Sequence, residues 1–457
     1  MAMLFTYACI DKYLEDGGKF GFLTTQTVFK SMAGENFRKF SFTVYKEGES
    51  KKVPFKVTKA HDLVELLPFE GAQNRTGAIF CIKGRETSYP VPYTLWKGPK
   101  VDQELSLEEV MKITSRTDLE ARPLIRKTGP WSTLRPKAHK VVERIAGPST
   151  YYRAYEGVNT ALNASYWVRI LDRLSGENFL VENITERAKR EVKQIRLTVE
   201  ASLIYPLLRG RDVERWKAST TLYIILPTDE QGDAMQVSNF RVDYPKAYNF
   251  FREFFNQLIT RGGEPYKSQL KPWREKSEKV AEKTAPPFYT VFNAKPSLAP
   301  YKVVWKEVSP MLNAAVVSPI YDRIVGQKVV VPDHTIVLVP CQEKLEAHFL
   351  CATLNSSISR LLVNSYLHMH PSPHVMDYVK VPRYDRNNKT HRRLAELSVR
   401  AHTLVSEGKK DEVPKVEGDI DRLIAQLYDL ADENLKEVKE SLRNLEDRAV
   451  EDEEVEE

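Results

Sequence analysis

Residues 13–29, YLEDGGKFGFLTTQTVF, constrain the fold more than any other stretch of the chain. Upstream, Leu4, Ala8, Asp11 and Leu14 recur at helical spacing among apolar neighbours. Gly17 and Gly18 supply a helix stop, KFGFLTT reads as a buried strand, and TVFKSMAGENFRKF restarts a helix. A strand set between helices belongs inside a layered α/β sheet, so the chain opens in what reads as the middle of a domain. Farther on, DLVELLPFEGAQNRTGAIFCIKG predicts two strands joined by a polar turn, with AIFCI buried.

At roughly 150 residues per domain, 457 residues imply about three domains, or two with appended helices. Residues 101–145 are polar and helical, interrupted by Pro123, Pro130 and Pro136, with Pro148 just beyond, and read as a connector. Residues 149–340 are mixed, with strands such as SYWVRIL, TTLYIILP, YKVVWKEV and VVVPDHTIVLVP and the helix PKAYNFFREFFNQLI. Residues 344–366 predict an amphipathic helix pair. Leu394, Leu397, Ala401 and Leu404 form one apolar stripe; Ile420, Leu423, Ile424, Leu427, Leu430 and Ala431 begin another that runs to Leu445.

Several function classes are excluded. No apolar run approaches the ~18 residues of a membrane helix. Acidic residues follow the N-terminal apolar stretch and no basic segment precedes it, so no signal peptide is expected. Cys9, Cys81, Cys341 and Cys351 are scattered among apolar neighbours, which predicts core packing in a reducing, cytoplasmic setting. The chain lacks a GxxxxGK[ST] phosphate loop, HExxH, GxSxG and a GxGxxG after a strand. His368, His370 and His374 in HMHPSPH are separated by Pro371 and Pro373, which leaves their convergence on a metal unforced; no metal site is expected. In Ala285-Pro286-Pro287-Phe288 the alanine offers no side-chain acceptor for a target amine, so this stretch reads as a strand-entry turn.

The formal charge of +6 hides an asymmetry. The last thirteen residues hold eight acids and one arginine, so without them the excess of bases rises to thirteen. A basic body suits a polyanion, and the acidic tail is expected to be disordered. Two stretches interleave bases with polar and aromatic residues. STYYRAYEGVNTALNASYW offers Arg153, Asn159, Thr160 and Asn163; LIYPLLRGRDVERWK offers Arg209, Arg211, Arg215 and Lys217. Arginine reads guanine bidentately, asparagine reads adenine, and both hold phosphates, whereas a solvated strand–turn surface explains either stretch alone equally well.

In order, these phrases resemble the C-terminal part of adenine-specific (N6) DNA methyltransferases of restriction–modification systems. YLEDGGKFGFLTTQTVFKSMAGENFRKF is similar to the family's helix–Gly-Gly–strand unit, and LLPFEGAQNRTGAIFCIKG to its last hairpin. YRAYEGVNTALNASYW, LIYPLLRGRDVERW, PFYTVFN, HFLCATLNSSISRLL and VPRYDRNNKTHRRLAELSVRAH resemble its target-recognition phrases. The resemblance covers nearly the whole chain and implies an α/β fold: the late part of a Rossmann-like methyltransferase sheet (1–100), a connector (101–148), a mixed α/β target-recognition domain (149–383), C-terminal helices (384–446) and an acidic tail (447–457).

By that resemblance Phe69 stacks on the extruded base, Phe80 is core, and Arg153, Asn159, Thr160, Asn163, Arg209, Arg211, Arg215 and Lys217 contact double-stranded DNA. The family's S-adenosylmethionine motif and Asn-Pro-Pro-aromatic tetrapeptide are missing, so no catalytic residue is expected here. The strand FGFLT would then present an unpaired apolar edge. A companion chain with the cofactor site would complete it, or the chain is the product of a split or truncated gene. The alternative is a non-catalytic recognition subunit serving a nuclease or a defence complex.

Overall fold

The computed structural model describes residues 2–456 except Glu47, residues 70–74, Gln103, Arg187, Lys189, His368 and Met369, and except the side chains of Lys46, Asp432 and residues 447–456. It is α/β, built on three large sheets. Helix α1 (Ala2–Tyr13) ends before Gly17, which takes a φ of 83°. β1 (Lys19–Thr25) follows where a strand is predicted, but as a largely exposed or half-buried edge strand, with Thr24 its one buried residue, rather than as a buried strand. The first sheet adds β2 (Ser41–Lys46), β3 (Glu49–Asp62), β4 (Thr76–Lys83), β5 (Val91–Lys97), β6 (Ser115–Pro123) and β7 (Trp131–Leu134). Its order is β1-β4-β3-β5-β6-β7, with β2 paired to the first half of β3. β4 runs antiparallel to β1 and β3, and β3 runs parallel to β5, so β1, β3 and β5 share one direction.

Four expectations change here. β4 pairs with β1 and β3, and residues 63–68, expected as its hairpin strand, form a turn after Asp62. The helix expected after Thr27 is one turn, α2 (Thr27–Lys30), followed by 3-10 turns. A Cβ on Gly34 would meet the Val28 carbonyl at 2.2 Å, so the chain folds back tightly there. The connector contributes β6 and β7 to the sheet, and Trp131 on β7 stacks on Phe29 with ring centroids 4.7 Å apart. Among the connector's described residues only α3 (Leu107–Ile113) and α4 (Pro136–Ile145) are helical. Phe80 faces the outer side of the sheet, 41 % exposed, while its neighbours Ile79 and Cys81 fill the core.

The expected recognition domain contains two cores. One lies under a six-stranded sheet that includes Trp167–Leu174, Asn178–Asn183, Ile204–Leu208 and Leu222–Ile225, backed by helices between Val237 and Thr284. Phe288 of the Ala-Pro-Pro-Phe stretch is fully buried in it. The other centres on a four-stranded sheet of Ala314–Val317, Tyr301–Lys306, Ile336–Cys341 and β8 (Tyr155–Glu156). The C-terminal helices share that core with α4 and with the predicted pair Lys344–Asn355 and Ser357–Tyr366. The first stripe is the buried face of helix Lys389–Ser406. The second is broken near Asp429, at φ 53°, into helices Val413–Leu427 and Asp432–Glu456. The last helix runs through residues 447–456 of the stretch expected to be a disordered tail, whose Glu, Arg and Ala are good helix formers.

Candidate nucleic-acid interface

Because β1, β3 and β5 are parallel, their carboxyl ends lie along one rim of the first sheet, where open α/β sheets place their sites. β1 ends at Thr25 and leads into Gln26; β3 ends at Asp62. The fully buried Asp62 carboxylate accepts hydrogen bonds from Gln26 Nε2 (3.0 Å), the Tyr93 hydroxyl (2.7 Å) and the Val64 amide (3.2 Å). It thus ties the ends of β1 and β3 to β5 and fixes the turn that leads to Phe69. Phe69 is 43 % exposed at this rim. The following residues, 70–74, lie outside the described part.

The Asp62 carboxylate at this rim is already bonded to Gln26, Tyr93 and Val64. On the outer face nearby, Trp96 Nε1 donates to His61 Nδ1 (2.7 Å), and burial and Lys59 push the His61 pKa down. Phe80 packs edge-on to that imidazole, and Arg116 lies over Trp96.

The sheet's two edges differ. β7 is wholly buried, and Ser132 meets Ser365 of helix Ser357–Tyr366 at 2.7 Å. Lys30 Nζ reaches across to Thr133 Oγ1 and the Ser365 carbonyl. Among the described residues no strand pairs with the outer side of β1. Leu23 and Phe80 are exposed on one face beside it, and Leu4 and Phe5 on the other, where Phe5 lies 5.6 Å from the Phe22 ring.

The eight predicted DNA-contact residues separate into two groups. Thr160 is fully buried, and its hydroxyl bonds Asn163 Oδ1 (2.6 Å); Asn159 Oδ1 caps the Ala161 amide (2.9 Å). These three shape a turn, as Asn and Thr side chains often do. Arg209 is clamped by Asp212 (2.8 Å) and Thr221 (2.7 Å). Arg215 pairs with Glu417 (2.8 Å) and the Asn355 carbonyl, which joins its loop to the C-terminal helices. Lys217 is exposed, 3.9 Å from Glu214. Among the described residues Arg153 and Arg211 are exposed with no hydrogen-bond or ion-pair partner.

The backbone sets those two arginines toward opposite ends of one strand of the four-stranded sheet: β8 pairs antiparallel with Ile336–Cys341, so Arg153 lies past Leu338, whereas Arg211 follows Gly210 beside Thr335. The Gly157 amide donates to the Ile336 carbonyl (2.8 Å), and the Gly210 amide to Thr335 Oγ1 (2.8 Å). Only glycine fits at 157, because a Cβ there would meet the Asp333 carbonyl at 2.2 Å. Two residues unmarked in the sequence complete the region. Arg383 lies over the exposed Tyr151 ring at 4.6 Å. Arg261, 1 % exposed, donates to the carbonyls of Thr160, Thr290, Phe288 and Leu258 and to the Tyr166 hydroxyl, which holds the turn in place. Nothing in the sequence around ITRGGEP distinguishes Arg261 from a surface residue at a helix end.

His374 Nδ1 meets Asp377 Oδ2 at 2.6 Å, His368 lies outside the described residues, and among those described no group of three or more side chains could hold a metal. No described helix is long and apolar enough to cross a membrane.

No family model and no curated protein matches the chain. Among solved structures it is similar to the Type IIL restriction-modification enzyme MmeI in complex with DNA, at 11 % identity and a TM-score of 0.49, over 94 % of this chain and 50 % of that one. It is also similar to the type IIG restriction endonuclease BpuSI, at 12 % identity and a TM-score of 0.34, over 96 % of this chain and 48 % of that one. The chain spans about half the length of the solved structures it matches.

Proposed function

We propose that this chain is the DNA-recognition and late-sheet half of a site-specific adenine-N6 DNA methyltransferase of a restriction–modification or defence system. A companion half, a separate chain or further polypeptide of the same one, carries the S-adenosylmethionine site and the Asn-Pro-Pro-aromatic motif. The carrying observation is the bare edge of β1, flanked on both faces by exposed Leu4, Phe5, Leu23 and Phe80, beside a carboxyl-end rim that presents Phe69. An edge strand with apolar flanks is a template for another strand. In this reading Phe69 stacks on the extruded base, while Arg153, Arg211, Lys217 and Arg383 hold the duplex. Thr160, Asn163, Arg209 and Arg215 shape the loops that present them.

The test is reconstitution with the companion half and assay of adenine methylation in duplex DNA. Phe69→Ala should leave DNA affinity intact and slow methylation, since a base–aromatic stack is worth about 1–3 kcal/mol. Leu23→Lys should weaken the pairing of the halves. A reconstituted pair that binds cofactor and DNA yet methylates no adenine would refute the enzymatic reading and leave a recognition subunit. Unchanged turnover with Phe69→Ala would remove that residue's role.

A further inference from the structure

A cavity of about 590 Å³ opens at the end of the first sheet opposite Phe69. Its walls come from the start of β2, from Lys52 and Pro54 on β3, from the loop before β5 and from the turn between β6 and β7. Eight residues of β3 separate Pro54 from Asp62, which at ~3.3 Å per residue puts the cavity roughly 26 Å from the carboxyl-end rim.

Charge dominates it. Lys39, Lys52 and Lys127 line the cavity, each exposed and, among the described residues, without a hydrogen-bond or ion-pair partner. Arg38 is a fourth lining cation, only 2 % exposed. Its Nε and Nη1 are held by the carbonyls of Thr128 (2.9 Å), Val28 (2.8 Å) and Ser31 (2.8 Å), and its Nη2 has no partner. Glu35, whose charge acts on Arg38, is itself engaged by Arg126 at 3.3 Å and Thr128 at 3.2 Å. Glu86 is the single carboxylate on the wall. A buried guanidinium hydrogen-bonded only to neutral carbonyls, with three unpartnered lysines among the described residues lining the same cavity and only Glu35 and Glu86 as acids near it, leaves an excess of positive charge. Buried charge is costly without a counter-charge. The volume lies within the range of pockets that seat small ligands.

We propose that this cavity binds a small phosphate ester of nucleotide size, with the phosphate among Arg38, Lys39, Lys52 and Lys127. A phosphate monoester supplies the counter-charge this lining lacks and accepts from several donors at once. The site stands independently of the methyltransferase reading.

The experiment titrates the full chain at low ionic strength with inorganic phosphate, with adenosine 5′-monophosphate and with a duplex lacking terminal phosphates, by calorimetry. The monophosphate should bind. Lys52→Glu and Lys127→Glu, both at exposed positions and checked by unchanged melting, should each weaken it at least tenfold. Absence of binding at millimolar monophosphate, or equal binding by the two variants, would overturn the proposal. So would protection of the cavity lysines from acetylation by the duplex alone, because the cations would then serve the DNA backbone.

Discussion

Replacing Arg261 by methionine tests whether the presenting turn is held from below. The guanidinium donates from Nε to the Leu258 carbonyl (3.0 Å), from Nη1 to Thr160 (2.7 Å), Thr290 (3.0 Å) and the Tyr166 hydroxyl (3.1 Å), and from Nη2 to Phe288 (2.8 Å). Its Cζ lies 4.0 Å from the Tyr266 ring centroid. Methionine fills much of the volume and removes the cost of burying a charge, but it orphans the carbonyls of Thr160, Thr290 and Phe288, each worth about 1–3 kcal/mol when left unsatisfied, while Leu258 keeps its backbone donors. Because these terms share one group they do not add, and a net loss of about 3–5 kcal/mol is expected, as for other broken buried ionic networks. Arg261→Lys keeps the charge near Tyr266 but has one nitrogen where three were used, so it should recover about half. Hydrogen exchange is the direct assay: residues 158–168 and 286–292 should lose protection together, and DNA affinity should fall with them. If Arg261→Met is within about 1 kcal/mol of the parent, or exchange rises elsewhere first, the turn is held by other contacts and the reasoning fails.

Three further outcomes follow from the charge distribution. His402 donates from Nδ1 to the Ser398 carbonyl and accepts the Val316 amide at Nε2, and burial pushes its pKa down to about 4. The unfolded chain therefore takes up a proton that the folded one refuses, and stability should fall by up to about 3 kcal/mol as pH drops from 6.5 toward 4; His402→Gln should flatten that slope in urea titrations. Lys302 is fully buried with one bond, to the Ala299 carbonyl at 2.5 Å, and burial pushes it down to about 7. Between pH 7 and 10 the unfolded chain binds the extra proton, so stability should rise with pH there, and Lys302→Met should raise the melting temperature at pH 7 and abolish the rise. Arg211→Ala should weaken DNA binding and lower the salt slope by about one without changing the melt, whereas Arg209→Ala should lower the melt because it frees Asp212 and Thr221.

What was legible in the sequence was local periodicity with punctuation. KFGFLTT after two glycines, the helices at 344–366 and the Leu394–Leu404 stripe all carry their own period and their own stops. β6 was not legible, because it alternates Arg116, Asp118, Glu120 and Arg122 on its outer face with Leu119 and Ala121 inside, and reads as a polar linker. The start of β3, ESKK, is exposed hairpin and gives no apolar signal. The site failed for a different reason. Whether an arginine is free depends on residues far away in the chain: Arg215 and Trp216 both bond Glu417. Nothing near Arg215 distinguishes it from Arg211, although one is clamped and the other open.

The first sheet's asymmetry carries the functional argument further than any single residue does. Both end strands of an open sheet have a row of unpaired peptide groups, and the usual remedies are cover, charge or closure. β7 has cover, with Ser132, Thr133 and Lys30 bonded to Ser365 on the helix that lies over it. Among the described residues no strand covers or closes the outer edge of β1, and the only charge on it is Lys19, at its start. Lys83 at the end of β4 is turned back onto the carbonyls of Asp11 in α1 and Leu14 just after it, which steadies the helix end and leaves the strand edge open. The side chains beside that edge are apolar on both faces, so a strand added there would bury Leu23 and Phe80 on one side and Leu4 and Phe5 on the other. A surface built only for solvent would carry lysine or glutamate at these positions. The added strand would also extend the rim where Phe69 stands, which places whatever chemistry it brings next to that ring.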